Sequence, residues 1–261
     1  MTRCSVLYSS VLLLTLWCTA GLAQPLLGGG AQWHPYSFQD ANGEARGIAV
    51  DIVRTVMARN GQQVDLVFYP ANRLNLLLDE GRLDLNYADS PLWNPADAGD
   101  RFVYSQPYLQ VREYLYFLKD HPARTMPLDK LQGMRIGIVR GYTYQSLDDA
   151  LQAGRLVKVE TSREPALLEL LTLGRVDAIA VVDDVFTALL SARQLEPGRF
   201  ARGAKLSDAP LVMKLQRQHA DQLPKLNATL QAMIRSGEVE RIRRSYLSGQ
   251  FGKAARPSAD R

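Results

Sequence analysis

One pattern occurs twice in this chain and limits what it can fold into. Leu76-Leu77-Leu78-Asp79-Glu80-Gly81-Arg82-Leu83-Asp84-Leu85 is echoed by Leu168-Glu169-Leu170-Leu171-Thr172-Leu173-Gly174-Arg175-Val176-Asp177-Ala178. Each copy reads as the end of an amphipathic helix, a glycine suited to a left-handed turn, and then a short apolar strand. That is one helix-to-strand step used twice, which predicts two similar α/β lobes facing each other across a cleft. In open parallel sheets ligands bind beyond the carboxyl ends of the strands. The residues to inspect are therefore Asp89 and Ser90 after the first copy, and Asp183 and Asp184 after the second. Asp84 and Asp177 stand at strand starts, away from those ends, and read as structural.

The first residues do not belong to this pattern. Arg3 precedes an apolar run from Val11 to Trp17, and Gly21-Leu22-Ala23 places small residues where a signal peptidase reads. The expectation is a secretory signal peptide at 1–23, cleaved before Gln24, which sends the protein to the periplasm. Both cysteines, Cys4 and Cys18, fall inside it, so the mature chain has no thiol and no disulfide. Bulky Trp17 before Cys18 fits a lipoprotein cleavage site poorly, and no later run approaches the roughly 20 apolar residues of a membrane span.

With 31 basic against 27 acidic residues, a formal net charge of +4, and one of those bases in the leader, the balance argues against nucleic acid as a partner. The densest basic cluster, Arg241, Arg243 and Arg244, reads as a solvated face near a helix end. His34, His121 and His219 show no metal spacing, so neither a metal nor a cofactor is expected.

Taken in order, Pro25-Leu26-Leu27 begins a strand that Gly28-Gly29-Gly30 should weaken. An aromatic turn, Trp33 to Phe38, and a hairpin-like turn at Asp40-Ala41-Asn42-Gly43 follow. Apolar residues at helical spacing, Ile48, Ile52, Val56 and Met57, predict a helix closed by Asn60-Gly61. A strand over 64–69, a helix over 71–80 and a strand over 84–88 come next, then a loop over 91–100. Strands over 102–108 and 113–118 lead out of the first lobe. The second lobe is read as a strand over 135–139, a helix bearing Leu147 and Leu151, a strand over 156–159, the repeat helix, a strand over 176–182 and a helix with Phe186 and Leu190 on its inner face. A strand over 210–215 returns to the first lobe, and two amphipathic helices close it. Lobe 1 is thus assigned to 24–114 and 210–248, lobe 2 to 115–209, and 249–261 to a disordered tail. Closure is expected as a hinge motion about 113–118 and 210–215.

The order of these motifs resembles the polar amino-acid class of periplasmic solute-binding proteins, with the two-lobed type II binding-protein fold. The resemblance runs from about Trp33 to about Tyr246. It is carried by the aromatic-Pro-aromatic turn, Gly47-Ile48-Ala49-Val50-Asp51, the Gly-Arg-x-Asp pairs, Tyr104-Ser105-Gln106-Pro107-Tyr108, Gly133-Met134-Arg135-Ile136-Gly137 and Asn227-Ala228-Thr229-Leu230. It implies a non-catalytic monomeric receptor that hands a small polar solute, an amino acid or a related compound, to an ABC-type permease of the inner membrane. Residue by residue it implies that Trp33 stacks on the ligand, with Tyr36 in the same turn. Asp89 and Ser90 hydrogen-bond it, Tyr142 and Thr143 present backbone N–H groups to a carboxylate, and Asp183, or Asp184 one residue on, accepts from an ammonium.

The family's usual Thr-x-x-Arg element is missing ahead of Tyr104-Ser105. Its place falls near Ala96 to Ala98, where no arginine stands. Arg73, Arg101 or Arg140 is left as the source of a carboxylate-binding charge, or the ligand lacks an α-carboxylate. Tyr87 and Trp93 suit a flatter, more apolar ligand. Two other functions carry weight beside transport: a sensory module reporting to a membrane sensor, and a cyclohexadienyl-dehydratase-like enzyme, which needs a general acid beside the departing hydroxyl.

Overall fold

Each copy of the repeated pattern becomes a helix, a left-handed glycine and a strand. A computed structural model gives the structure of residues 24–247; the expected signal peptide (1–23) and tail (249–261) lie outside the described residues. In chain order the elements are β1 (Leu26–Gly30), β2 (Phe38–Gln39), β3 (Ala45–Arg46), α1 (Ile48–Arg59), β4 (Val64–Phe68), α2 (Ala71–Asp79), β5 (Leu85–Asp89), β6 (Phe102–Tyr104) and β7 (Leu109–Leu118). The second half holds β8 (Met134–Val139), α3 (Gln145–Gln152), β9 (Leu156–Thr161), α4 (Glu164–Thr172), β10 (Ala178–Val182), α5 (Asp183–Arg193), β11 (Phe200–Gln216), α6 (Leu223–Arg235) and α7 (Glu238–Leu247). The repeat units are α2 to β5 and α4 to β10, with Gly81 at φ +69° and Gly174 at φ +64° ending the helices. Their aspartates are structural, as read: Asp84 accepts from the Leu27 N–H at 2.8 Å, and Asp177 from the Arg135 N–H at 2.7 Å. Each pins its strand's start to the neighbouring strand.

The strands run in the order β4-β1-β5-β11-β7-β10-β8-β9, with β6 also on β11. The parallel set β4-β1-β5 anchors the first lobe, and the parallel set β10-β8-β9 the second. Between them β11 pairs with β7 from Phe200 to Leu211, then with β5 from Val212 to Leu215. This one strand therefore belongs to both lobes. The sequence reading recovered only its second half, because Arg202, Gly203, Lys205, Ser207 and Asp208 break the apolar alternation and the pairing shifts register there. A second crossing lies alongside, where the Ser105 and Tyr108 N–H groups donate to the Met213 and Leu211 carbonyls.

The triple glycine is a correction. It does not weaken β1 but makes it possible as the central, buried strand of the first lobe. A Cβ at Gly29 would stand 2.4 Å from Leu74 and 2.6 Å from Leu83, and one at Gly30 would stand 2.1 Å from the Tyr87 hydroxyl. α2 and the Tyr87 ring lie so close that only glycine fits. The apolar face of α1, from Ile48 to Met57, covers the same sheet, and α6 and α7 pack beside it.

Candidate functional site

The carboxyl ends of β5 and β10 and the loop between β8 and α3 converge on a cavity of about 290 Å3 between the lobes. From the first lobe it is lined by Trp33, Asn86, Asp89, Trp93, Asn94, Arg101, Phe102 and Lys214; from the second by Tyr142, Thr143, Tyr144 and Glu164, with Glu113 of the crossing strand β7 paired beside them to Val182 of β10. The lobes touch across it. The Thr143 hydroxyl donates to the Trp93 carbonyl at 2.9 Å. Asp184 of α5 accepts from the Tyr36 hydroxyl at 2.8 Å and from Arg243 of α7 at 3.0 Å.

The aromatic wall belongs to the first lobe. Trp33 and Trp93 meet edge to face, with centroids 5.9 Å apart, and Tyr36 lies tilted behind Trp33 at 4.5 Å. Beside this wall stands a closed polar network. Asp89 accepts from the Ser90 N–H at 2.7 Å, the Asn94 amide at 2.9 Å and the Asn86 amide at 3.0 Å, and it pairs with Lys214 at 3.1 Å. Lys214, 3% exposed, also donates to the Asn94 side-chain oxygen at 2.6 Å and lies 4.5 Å from the Phe102 ring centre. Buried ions persist when paired and hydrogen-bonded in this way. The other basic group of the lining, Arg101, is held by Asp79 at 2.7 Å.

The second-lobe side of the cavity carries two carboxyls with no base beside them among the described residues. Glu113 of β7 is 9% exposed and Glu164 at the start of α4 is 4% exposed. Burial pushes the Glu113 carboxyl up to about 8; the Ser207 hydroxyl works the other way, and the Glu164 charge adds to the rise. Burial likewise lifts Glu164 to about 7, against hydrogen bonds from its own backbone N–H and from Tyr142, whose hydroxyl donates at 2.9 Å. Both groups therefore titrate near neutral pH.

Of the residues singled out by sequence, the cavity brings together Trp33, Asp89, Trp93, Tyr142, Thr143 and Arg101. Others fall outside its lining. Tyr36 is turned to Asp184, and Tyr87 is fully buried with its hydroxyl 2.7 Å from that of Ser37. Ser90 is fully buried and its hydroxyl accepts from the Leu92 N–H. Asp183 accepts from Tyr116 and pairs with Arg202 at 3.2 Å, on a different face. Asp183 is the first residue of α5, whose N-cap is Val182. Arg140 pairs with Glu160 at 3.4 Å, and Arg73 lies exposed on α2 outside the lining. Arg243, read as solvated, instead spans the lobes.

Sequence reasoning missed Glu113, Glu164 and Lys214. Glu113 sits at an inward position of the alternating strand Val111-Arg112-Glu113-Tyr114-Leu115, and Lys214 interrupts the buried run Leu211 to Leu215. A charge at a position whose period points inward was the available signal. Glu164 gave none, because an acidic first residue is the ordinary preference of a helix start.

Two lobes of this topology, bridged by paired strands over a lined cleft, define a two-lobed solute-binding fold. The family model of the bacterial extracellular solute-binding proteins, family 3, matches residues 27–249, and the chain belongs to that family. Solved structures of the same fold include a mutant of ArgBP from T. maritima, with 19% identity, TM-score 0.71, and coverage of 86% of this chain and 95% of that one. A histidine kinase sensor domain similar to periplasmic binding proteins gives 21% identity and TM-score 0.74, over 85% and 95% of the two chains. AbpA from Streptococcus pneumoniae, bound to L-arginine, gives 16% identity and TM-score 0.72, over 86% and 94%. A comparison with curated proteins finds no match.

Proposed function

We propose that the protein captures a small polar solute, an amino acid or a related compound, in the periplasm and delivers it to an ABC-type permease of the inner membrane. The observation that carries this reading is the cavity enclosed between two lobes, lined by polar and aromatic residues from both. A ligand there bridges the lobes and stabilises their closed arrangement, which is the signal a partner can read. Trp33 and Trp93 supply stacking area, Tyr142 and Thr143 bring the β8–α3 loop onto the ligand, and Asp89 acts by holding Lys214 in place.

Turnover is not part of this reading, and the family is one of binding proteins. The likeness to a histidine kinase sensor domain favours one second reading, a sensory module working through the same cleft. The test is a thermal-shift screen of the protein from Gln24 onward against amino acids, amines, organic acids and aromatic acids. A ligand at about 100 times its Kd adds about 2.7 kcal/mol and raises the midpoint by roughly 5 to 10 °C. No shift with any class would overturn solute capture. For a solute that binds, loss of its uptake in a deletion strain supports transport, whereas normal uptake with a lost transcriptional response supports sensing.

A further inference from the structure

We infer that Glu113 and Glu164 form a receptor for the ammonium or guanidinium end of an organic cation, so that the solute of this cleft carries a net positive group. The inference rests on the reading of the cleft as the ligand site and names the chemistry of what enters it.

The charges that line the cavity favour a positive occupant. Its two basic side chains are committed, Lys214 to Asp89 and Arg101 to Asp79. Its two remaining carboxyls, Glu113 and Glu164, have no lysine or arginine among the groups acting on them. The groups that face them are known from each element packed around them. Tyr142 and Tyr144 come from the β8–α3 loop, Ser207 from β11 opposite Glu113, and apolar Val182 from β10. Glu113 also feels the charge of Glu164. A cation supplies what is missing: donors for the carboxylate oxygens and a charge opposite to theirs. Trp33 and Trp93 on the facing wall present aromatic surface, which favours a cation over an anion.

This chemistry couples binding to protons. Without a cation the two carboxyls keep their protons until pH 7 to 8. A bound ammonium favours the ionised forms, so the protons leave to solvent as the cation enters. Affinity must then rise with pH through that range and level off above about 8, by as much as roughly tenfold per pH unit for each proton released.

The experiment is isothermal titration of the protein from Gln24 onward with putrescine, agmatine and L-arginine, and with L-glutamine, L-glutamate and succinate. Each is measured at pH 6.0, 7.0 and 8.5 in two buffers of different ionisation enthalpy, which counts released protons. At least one of the three cations is expected to bind, at least about tenfold more tightly at pH 8.5 than at pH 6.0, with proton release; succinate and L-glutamate are not. Glu113→Gln and Glu164→Gln should each weaken that binding and flatten its pH dependence. Thermal midpoints and far-UV circular dichroism establish that both variants are folded. Binding of glutamine, glutamate or succinate alone, or cation binding with a flat pH profile and no proton release, overturns the cation receptor and leaves solute capture standing. Binding of none of the six also overturns it, and solute capture is then decided by the wider screen.

Discussion

At Glu113 a single carboxyl sets a measurable pH dependence of stability. Its folded value, about 8, lies above the ordinary 4.5, so the native state binds a proton that the unfolded chain releases. The contribution is therefore fully present below about pH 4.5 and is lost as pH rises toward 8, an effect of at most about 5 kcal/mol. Glu113→Gln, neutral at every pH, should stabilise the ligand-free protein by roughly 1–3 kcal/mol at pH 8.5 and change it little at pH 4.0, below the unfolded value. Urea denaturation at the two pH values checks this, and equal effects at both would mean that Glu113 does not titrate as described. Lys214 is the opposite case, a buried charge that is fully paired. Lys214→Met leaves Asp89 without its counter-charge and should cost about 3–5 kcal/mol. Adding Asp89→Asn removes the stranded charge, so the double variant should be more stable than Lys214→Met alone; further loss would show that the Asp89 bonds to Ser90, Asn86 and Asn94 matter more than the ion pair.

The strand β1 shows what elements add to residue-level reading. Its glycines exist because α2 and Tyr87 close over it, and Gly29→Ala should destabilise by about 1–3 kcal/mol through overpacking against Leu74 and Leu83. A chemical denaturation curve unchanged by Gly29→Ala would mean that the two leucines move aside freely. Helices and left-handed glycines were legible in the sequence because each rests on a local pattern: Ile48, Ile52, Val56 and Met57 on one face of α1, Gly81 and Gly174 after the repeat helices. Strands within the second lobe were legible for the same reason. What depends on the packing of distant elements was not: glycine as the residue of a central strand, or the start of β11 at Phe200. The site divided along the same line. Trp33 and Thr143 were found through a resembling motif, and Glu113 and Lys214 offered only a charge at an inward-pointing strand position, whereas Glu164 becomes visible only when α4 is brought to the cavity.

At the scale of the molecule, the Asp184 carboxylate stands between lobes. It belongs to α5 of the second lobe and is held by Tyr36 and Arg243 of the first, neither of which lines the cavity. Contacts that span the cleft exist only when the lobes are together, so they bias the open-to-closed equilibrium without touching the solute. Arg243 and Asp184 keep 32% and 21% of their side-chain surface exposed, which limits the pair to about 1 kcal/mol. Asp184→Asn keeps an acceptor for Tyr36 and removes the charge facing Arg243. The expected result is roughly fivefold weaker solute binding, since a closed state less favoured by about 1 kcal/mol lowers apparent affinity by that factor. The ligand-free radius of gyration in X-ray scattering should increase, while the thermal midpoint stays nearly unchanged because neither lobe loses core packing. Arg243→Gln should do the same, and the two together no more than either alone, because they remove one interaction. Additive losses would instead mean that Asp184 and Arg243 act on the solute or the fold separately, and an unchanged Kd with an unchanged radius would mean that the cleft is held closed by the Thr143 to Trp93 contact and the packing around it.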